Sequence, residues 1–268
     1  MKHAILVAAA LAACAPAFAL EPLKSFDNFS TTPLDPTRWA VPERSMTIKN
    51  GQLNVVERNW GSTTFQDGAT TWGYNNWLTN PVPVTEIRAK VTVNALEVNQ
   101  CATSIYAGAS YAHIKGTFFN TGTPQPNSRQ GNVDVEIRVI RRSNSKDAAG
   151  VLRVEATAVV CDNACGVPVQ IGSTLDLGPV SLGQPVTLET QWDQAGKQFI
   201  FSRDPGAAGA VVASLPYTVA DGGPAALPYQ EMGLTTTVPG CTTGPSLTGY
   251  VDASFDNIYL NKSAVPLK

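Results

Sequence analysis

The residue types best suited to chemistry in this chain are two carboxylates, Asp134 and Glu136, and a trio formed by Tyr111, His113 and Lys115. Side chains at i and i+2 share one face of an extended strand. Asp134-Val135-Glu136 therefore sets two carboxylates side by side. A retaining glycosidase needs such a pair about 5 Å apart, one as nucleophile and one as acid. Arg138 follows on the same face, and no other carboxylate occurs before Asp147. His113 is the sole histidine besides His3. With Tyr111 and Lys115 it makes a trio competent to abstract a proton beside a carboxylate. A Ser-His-Asp triad would have to use the same His113, and no G-x-S-x-G supports one. The plain alternative is a solvated sheet face, on which Glu86, Arg88, Lys90, Arg153, Glu155 and Glu189 make ordinary cross-strand pairs.

A second chemistry lies in the aromatics. Trp60, Phe65, Trp72, Tyr74 and Trp77 are interleaved with Gly61, Gly68, Gly73, Asn75 and Asn76. Aromatic faces stack on the apolar C–H faces of sugars, while amide side chains bond hydroxyls. Trp60, Trp72, Tyr74 and Trp77 are thus candidate carbohydrate-binding residues. Large aromatics also fill cores, and periodicity alone does not settle which role these play.

The elements that must position these groups are strands. Glu86-Ile87-Arg88-Ala89-Lys90-Val91-Thr92-Val93 alternates polar and apolar residues, as does Val133-Asp134-Val135-Glu136-Ile137-Arg138-Val139. The alternation recurs less strictly over 151–160, 186–192, 198–203 and 250–255. Asn50-Gly51 reads as a hairpin turn. Asp193 to Lys197 reads as another, with Gly196 available for positive φ. A short helical turn is expected at Leu34-Asp35-Pro36-Thr37-Arg38-Trp39, capped by Asp35. No linker or repeat divides residues 20–268. The expected architecture is all-β, an antiparallel two-sheet β-sandwich in a single domain.

Composition narrows the function classes. Of 268 residues 43% are hydrophobic and 15% charged, with 19 Lys+Arg against 21 Asp+Glu. No basic excess exists to neutralise phosphates, so no nucleic-acid partner is expected. The apolar run from Ala4 to Ala13 is too short to span a bilayer. Followed by Ala17-Phe18-Ala19, it reads as a secretory signal peptide, residues 1–19, with the mature chain beginning at Leu20. Leu11-Ala12-Ala13-Cys14 offers a rival ending resembling a bacterial lipoprotein box, with a lipid anchor at Cys14. Either ending implies export to a secreted, periplasmic or outer-membrane location, where disulfides form. Four cysteines then remain and allow three connectivities. The local Cys161-Asp162-Asn163-Ala164-Cys165 segment suggests Cys161 with Cys165, leaving Cys101 with Cys241. Zinc binding by this C-x₃-C and one distant histidine has poor ligand spacing.

The order of features resembles the concanavalin A-like lectin/glucanase jelly rolls. The opening Phe26-Asp27-Asn28-Phe29, Leu34-Asp35, Arg38-Trp39 and Asn50-Gly51-Gln52-Leu53 is similar to their start. Ala253-Ser254-Phe255-Asp256-Asn257-Ile258-Tyr259-Leu260 is similar to their last strand, which the resemblance places beside the first. Thr187 to Asp193 and Gln198 to Phe201 resemble their late hairpin. The resemblance implies a polysaccharide or glycoconjugate partner and a structural Ca²⁺ between first and last strands, for which Asp27 and Asp256 are the candidate ligands. Laminarinase-type members carry Glu-x-Asp-x-x-Glu on one strand, and here the position of the second catalytic acid is unfilled. Lyases of this fold use Tyr, His and Arg or Gln around an acidic sugar. The first expectation is therefore a secreted, non-catalytic carbohydrate-binding or surface-adhesion domain. A polysaccharide-cleaving enzyme (hydrolase or lyase) is the second, and a ligand-free envelope structural protein the third. Mass spectrometry of the mature N-terminus checks the leader: cleavage after Ala19 leaves unmodified Leu20, whereas a lipoprotein begins at acylated Cys14.

Overall fold

The computed structural model describes residues 43–261 apart from 66–67, 79–83, 123–124, 126–127 and 226–227. The leader, Cys14, Asp27 and the helical turn expected at 34–39 lie outside the described residues.

Thirteen strands are formed and, among the described residues, no helix. In chain order they are β1 (Glu43–Lys49), β2 (Gln52–Trp60), β3 (Ala69–Trp77), β4 (Glu86–Glu97), β5 (Ala109–Asn120), β6 (Asn132–Arg142) and β7 (Val151–Val160). There follow β8 (Val169–Ser181), β9 (Val186–Asp193), β10 (Gln198–Arg203), β11 (Val211–Pro216), β12 (Gln230–Pro239) and β13 (Thr248–Leu260). A seven-stranded sheet has the order β1-β2-β13-β4-β9-β10-β11, and a six-stranded sheet the order β3-β12-β5-β6-β7-β8. Every pairing between these strands is antiparallel. The result is the antiparallel two-sheet β-sandwich that the sequence implies.

Alternation explains why the sheets must stack. On β4, β5 and β6 each apolar residue of the repeat turns inward, and Val91, Ile114, Ile137, Leu188, Phe199 and Phe255 are all exposed by 1% or less. Each sheet has one apolar face, and facing the two together removes both from water. Phe118, Phe119, Trp192, Phe199 and Tyr217 form an aromatic knot with centroid separations of 5.1–6.3 Å.

Two turns show what local chemistry fixes. Asn50 and Gly51, at φ 53° and 76°, close the β1–β2 hairpin with Lys49 opposite Gln52, as an Asn-Gly turn requires. Between β9 and β10 the expectation fails in detail. Lys197 takes the positive φ, 49°, and Gly196 does not. A Cβ at Gly196 would stand 2.2 Å from Asp193 Oδ2, so a larger residue there displaces that side chain. The last strand, β13, pairs with β2 and β4; the opening at 26–29, which the resemblance sets beside it, lies outside the described residues.

Both expected disulfides are present, Cys101–Cys241 with Cα atoms 5.5 Å apart and Cys161–Cys165 with Cα atoms 4.4 Å apart. In the chain-entropy account the first is worth about 5 kcal/mol and the second about 2, before strain.

Arg44 on β1 ties the two sheet edges together. It donates to the Gly73 carbonyl of β3 at 3.2 Å, and its guanidinium lies 5.3 and 5.4 Å from the Trp72 and Tyr74 ring centres. Beneath it Glu57 is fully buried, 3.4 Å from Arg44, with Oε2 lacking a hydrogen-bond partner among the described residues. Burial pushes the Glu57 carboxyl up to about 7, against the pull of Arg44. Below the ordinary carboxylate range Glu57 is protonated in folded and unfolded chains alike. Between there and about 7 only the unfolded chain gives up its proton, so stability falls as pH rises through that window. The full loss is about 3 kcal/mol. Glu57→Gln is expected to unfold at higher urea than the parent at pH 8 and at nearly the same urea at pH 4, measured by chemical denaturation.

Candidate functional site

The outer face of the six-stranded sheet, turned away from the other sheet, gathers the sequence candidates. On β5 the inward positions are Ala112 and Ile114, so Tyr111, His113 and Lys115 point outward. On β6 the inward Val133, Val135 and Ile137 leave Asp134, Glu136 and Arg138 outward. Strand register brings the groups together. Lys115 lies opposite Glu136 and His113 opposite Arg138. On the other side of β5, Glu231 lies opposite Lys115 and Gly233 opposite His113. One cross-strand row thus reads Trp77, Glu231, Lys115, Glu136, and the next reads Asn75, Gly233, His113, Arg138, Glu155.

Asp134 is the most heavily partnered group. It is exposed by 1%. Its Oδ1 accepts from Thr117 Oγ1 at 2.7 Å, and its Oδ2 accepts from the Tyr229 hydroxyl at 2.9 Å. Arg129 donates to the same Oδ2, and Lys115 Nζ lies 3.4 Å away. Tyr229 in turn sits under the Arg129 guanidinium, 4.4 Å from the ring centre, and stacks on Trp77 at 6.2 Å. Trp77 Nε1 donates to Glu231 Oε2 at 2.8 Å.

Glu136 accepts from Arg138 at 2.8 Å. Burial works against its charge, but His113, Arg138 and Lys115 outweigh it and hold the carboxyl below the usual range. A general acid needs the reverse. Asp134 and Glu136 share a face, as expected, and Glu136 is held charged instead of being kept as a proton donor. Burial pushes the Tyr111 hydroxyl up to about 12, with Glu136 adding to the effect. Lys115 is raised too: burial opposes its charge, and Asp134, Tyr229, Glu136 and Glu231 overcome that.

His113 stands apart. It is exposed by 2%, and neither ring nitrogen has a hydrogen-bond partner among the described residues. Glu231 Oε1 is nearest, 3.7 Å from Nε2, and the Tyr111 ring centre is 5.6 Å away. A buried imidazole with both nitrogens unused has hydrogen-bonding capacity for a ligand.

The four aromatic candidates do not share one surface. Trp77 projects from the outer face of the six-stranded sheet and is 71% exposed. Trp72 and Tyr74 occupy the alternate positions of β3, under Arg44. Trp60 ends β2 opposite Thr248, on the outer face of the seven-stranded sheet. Asp256 pairs with Lys90 at 3.6 Å and accepts from the Asn257 amide at 2.8 Å, while Asp27 lies outside the described residues. Three site residues had no sequence signal: Arg129, Tyr229 and Glu231. Tyr229-Gln230-Glu231 does lead into an alternating strand, but nothing local ties it to His113. Asp134→Ala leaves Arg129 without its carboxylate partner and is expected to cost about 3 kcal/mol. Urea unfolding checks this, with Glu155→Ala, a more solvated partner of Arg138 and Arg142, as the milder comparison.

No family model matches the chain, and no curated protein matches it. Solved structures do. The legume lectin-like domain from Entamoeba histolytica is 12% identical, with 89% of this chain and 98% of that one covered and a TM-score of 0.36. The catalytic domain of an endo-1,3-beta-glucanase (laminarinase) from Thermotoga petrophila RKU-1 is 9% identical over 81% of each chain, with a TM-score of 0.38. Lectin II from Ulex europaeus is 10% identical, covering 81% of this chain and 91% of that one, with a TM-score of 0.34. Overlap at this level says nothing about ligand or activity, so the choice of site rests on the chain's own geometry.

Proposed function

We propose that this chain is an exported carbohydrate-binding jelly-roll domain that holds its ligand on the outer face of the six-stranded sheet. The observation behind the reading is Trp77. Its ring is open to solvent, yet its indole N–H is pinned to Glu231. A fixed, exposed aromatic face is a platform for the C–H side of a sugar ring. Beside it lie Glu231, Lys115, His113 and Arg138, which are acceptors and donors for hydroxyls. Because Glu231 is held by Trp77 and Arg138 by Glu136 and Glu155, little of their side-chain entropy remains to be lost on binding. With an extracytoplasmic destination expected from the leader, the partner is a polysaccharide or glycoconjugate. The calorimetric test is direct. Trp77→Ala is expected to weaken binding of whichever soluble polysaccharide the parent takes from a broad panel by about tenfold, a change of about 1.4 kcal/mol. Trp60→Ala, on the opposite face, leaves it unchanged. Equal affinity for Trp77→Ala and parent would move the site elsewhere.

Polysaccharide cleavage is a second reading, favoured by His113. Its ring nitrogens, without a hydrogen-bond partner among the described residues, lie beside Tyr111, whose hydroxyl keeps its proton. A base and an acid so placed suit proton abstraction next to a sugar carboxylate. On that reading His113→Asn removes release of unsaturated or reducing ends while binding persists. Under pure binding the parent releases none.

A further inference from the structure

We propose that the Cys161–Cys165 disulfide is a thiol-exchange site, open to dithiol reductants, whose redox state sets the geometry of the Trp77 edge of the outer face. The inference rests on the reading of that face as the carbohydrate site only for its effect on ligand. The contacts themselves are independent of it. Cys161 Sγ and Cys165 Sγ lie 3.4 and 3.7 Å from Asp134 Oδ2. The Arg129 guanidinium, which holds both Asp134 and Tyr229, lies 3.6 Å from Cys161 Sγ. Inside the disulfide loop, the Asn163 carbonyl accepts from the Arg129 amide at 3.2 Å, and Asn163 Oδ1 accepts from Ser128 Oγ at 2.7 Å. The loop therefore seats Arg129 through backbone and side chain. Arg129 seats Tyr229, and Tyr229 stacks on Trp77.

The two disulfides differ in access. Cys101 and Cys241 are both buried, whereas Cys165 is partly open and Asp162, Asn163 and Ala164 between the paired cysteines are exposed. Cys165 also holds φ 58°, a left-handed conformation uncommon for a non-glycine residue. Opening the ring frees Cys165 to leave that region, and Asn163 moves with it. In the exchange, a thiolate of the dithiol bonds to Cys165 Sγ as the Cys161–Cys165 bond breaks, and the electron pair departs on Cys161. The Arg129 guanidinium, 3.6 Å from Cys161 Sγ and shared with Asp134, is the cation beside that leaving thiolate. The second thiolate of the reductant then displaces Cys165 and closes the reductant's own disulfide. The protein sulfurs take their protons from solvent, two electrons having passed to the protein.

The experiment uses the chain with both disulfides formed, titrated with dithiothreitol without denaturant, then trapped with iodoacetamide and mapped by peptide mass spectrometry. Tryptophan emission is followed in parallel. The expected result is alkylation of Cys161 and Cys165 at a reductant level about tenfold below that needed for Cys101 and Cys241. A change in emission accompanies it, and that change is lost in Trp77→Phe. Cys161→Ser/Cys165→Ser shows the reduced-state emission with or without reductant. Labelling of Cys101 and Cys241 at the same reductant level, or unaltered Trp77 emission once Cys161 and Cys165 are alkylated, overturns the proposal. If the oxidised chain binds no polysaccharide, the carbohydrate reading fails, while the emission response still decides the exchange site.

Discussion

A carboxylate without access to water must have its charge answered, and Asp134 is the point around which this structure is arranged. An isolated ionised carboxylate in an apolar setting is so costly that it is met by donors or loses its charge. Here four side chains come from three separate places: Thr117 and Lys115 on β5, Arg129 from the segment before β6, and Tyr229 from the segment before β12. Satisfying one side chain thus fixes the relative positions of β5, β6 and the approach to β12. The Cys161–Cys165 loop closes over the same carboxylate. The order of the outer face follows from that demand.

The rest of the face inherits its electrostatics. Lys115, held charged by the surrounding acids, lies between Glu231 and Glu136 in the cross-strand row. Glu136 keeps its charge because His113, Arg138 and Lys115 surround it. Arg138 and Arg142 share Glu155. Charges locked in this way hold their geometry and do not readily exchange protons. His113 departs from the pattern, since its ring nitrogens are not committed to a neighbour among the described residues. It is thus the residue on which binding and cleavage diverge.

The opposite edge of the sandwich follows a similar rule with a different outcome. Glu57 has one cation within reach, Arg44, and that cation also serves the Gly73 carbonyl and the rings of Trp72 and Tyr74. One shared guanidinium does not offset full burial, so the carboxyl retains its proton toward neutral pH. Glu57, with one shared cation, keeps its proton, whereas Glu136, among His113, Arg138 and Lys115, is held charged.

Much of the fold was legible along the chain because its determinants are local. Alternation marked β4, β6, β7, β9 and β10 because successive side chains of an extended backbone must point to opposite faces. Asn50-Gly51 marked a hairpin because both residues tolerate positive φ. The cysteine spacing suggested Cys161–Cys165 because a short loop closes on itself. The same alternation placed Asp134 with Glu136, and Tyr111 with His113 and Lys115, each on one face of its own strand. It did not reveal that the two faces are one surface, that Trp60, Trp72 and Trp77 part company, or that Glu231 bonds Trp77 across 154 residues of chain. Strand order and register decide those matters. They are set by how two apolar faces pack and by which distant donors a buried carboxylate can reach, and neither is encoded in the spacing of neighbouring residues.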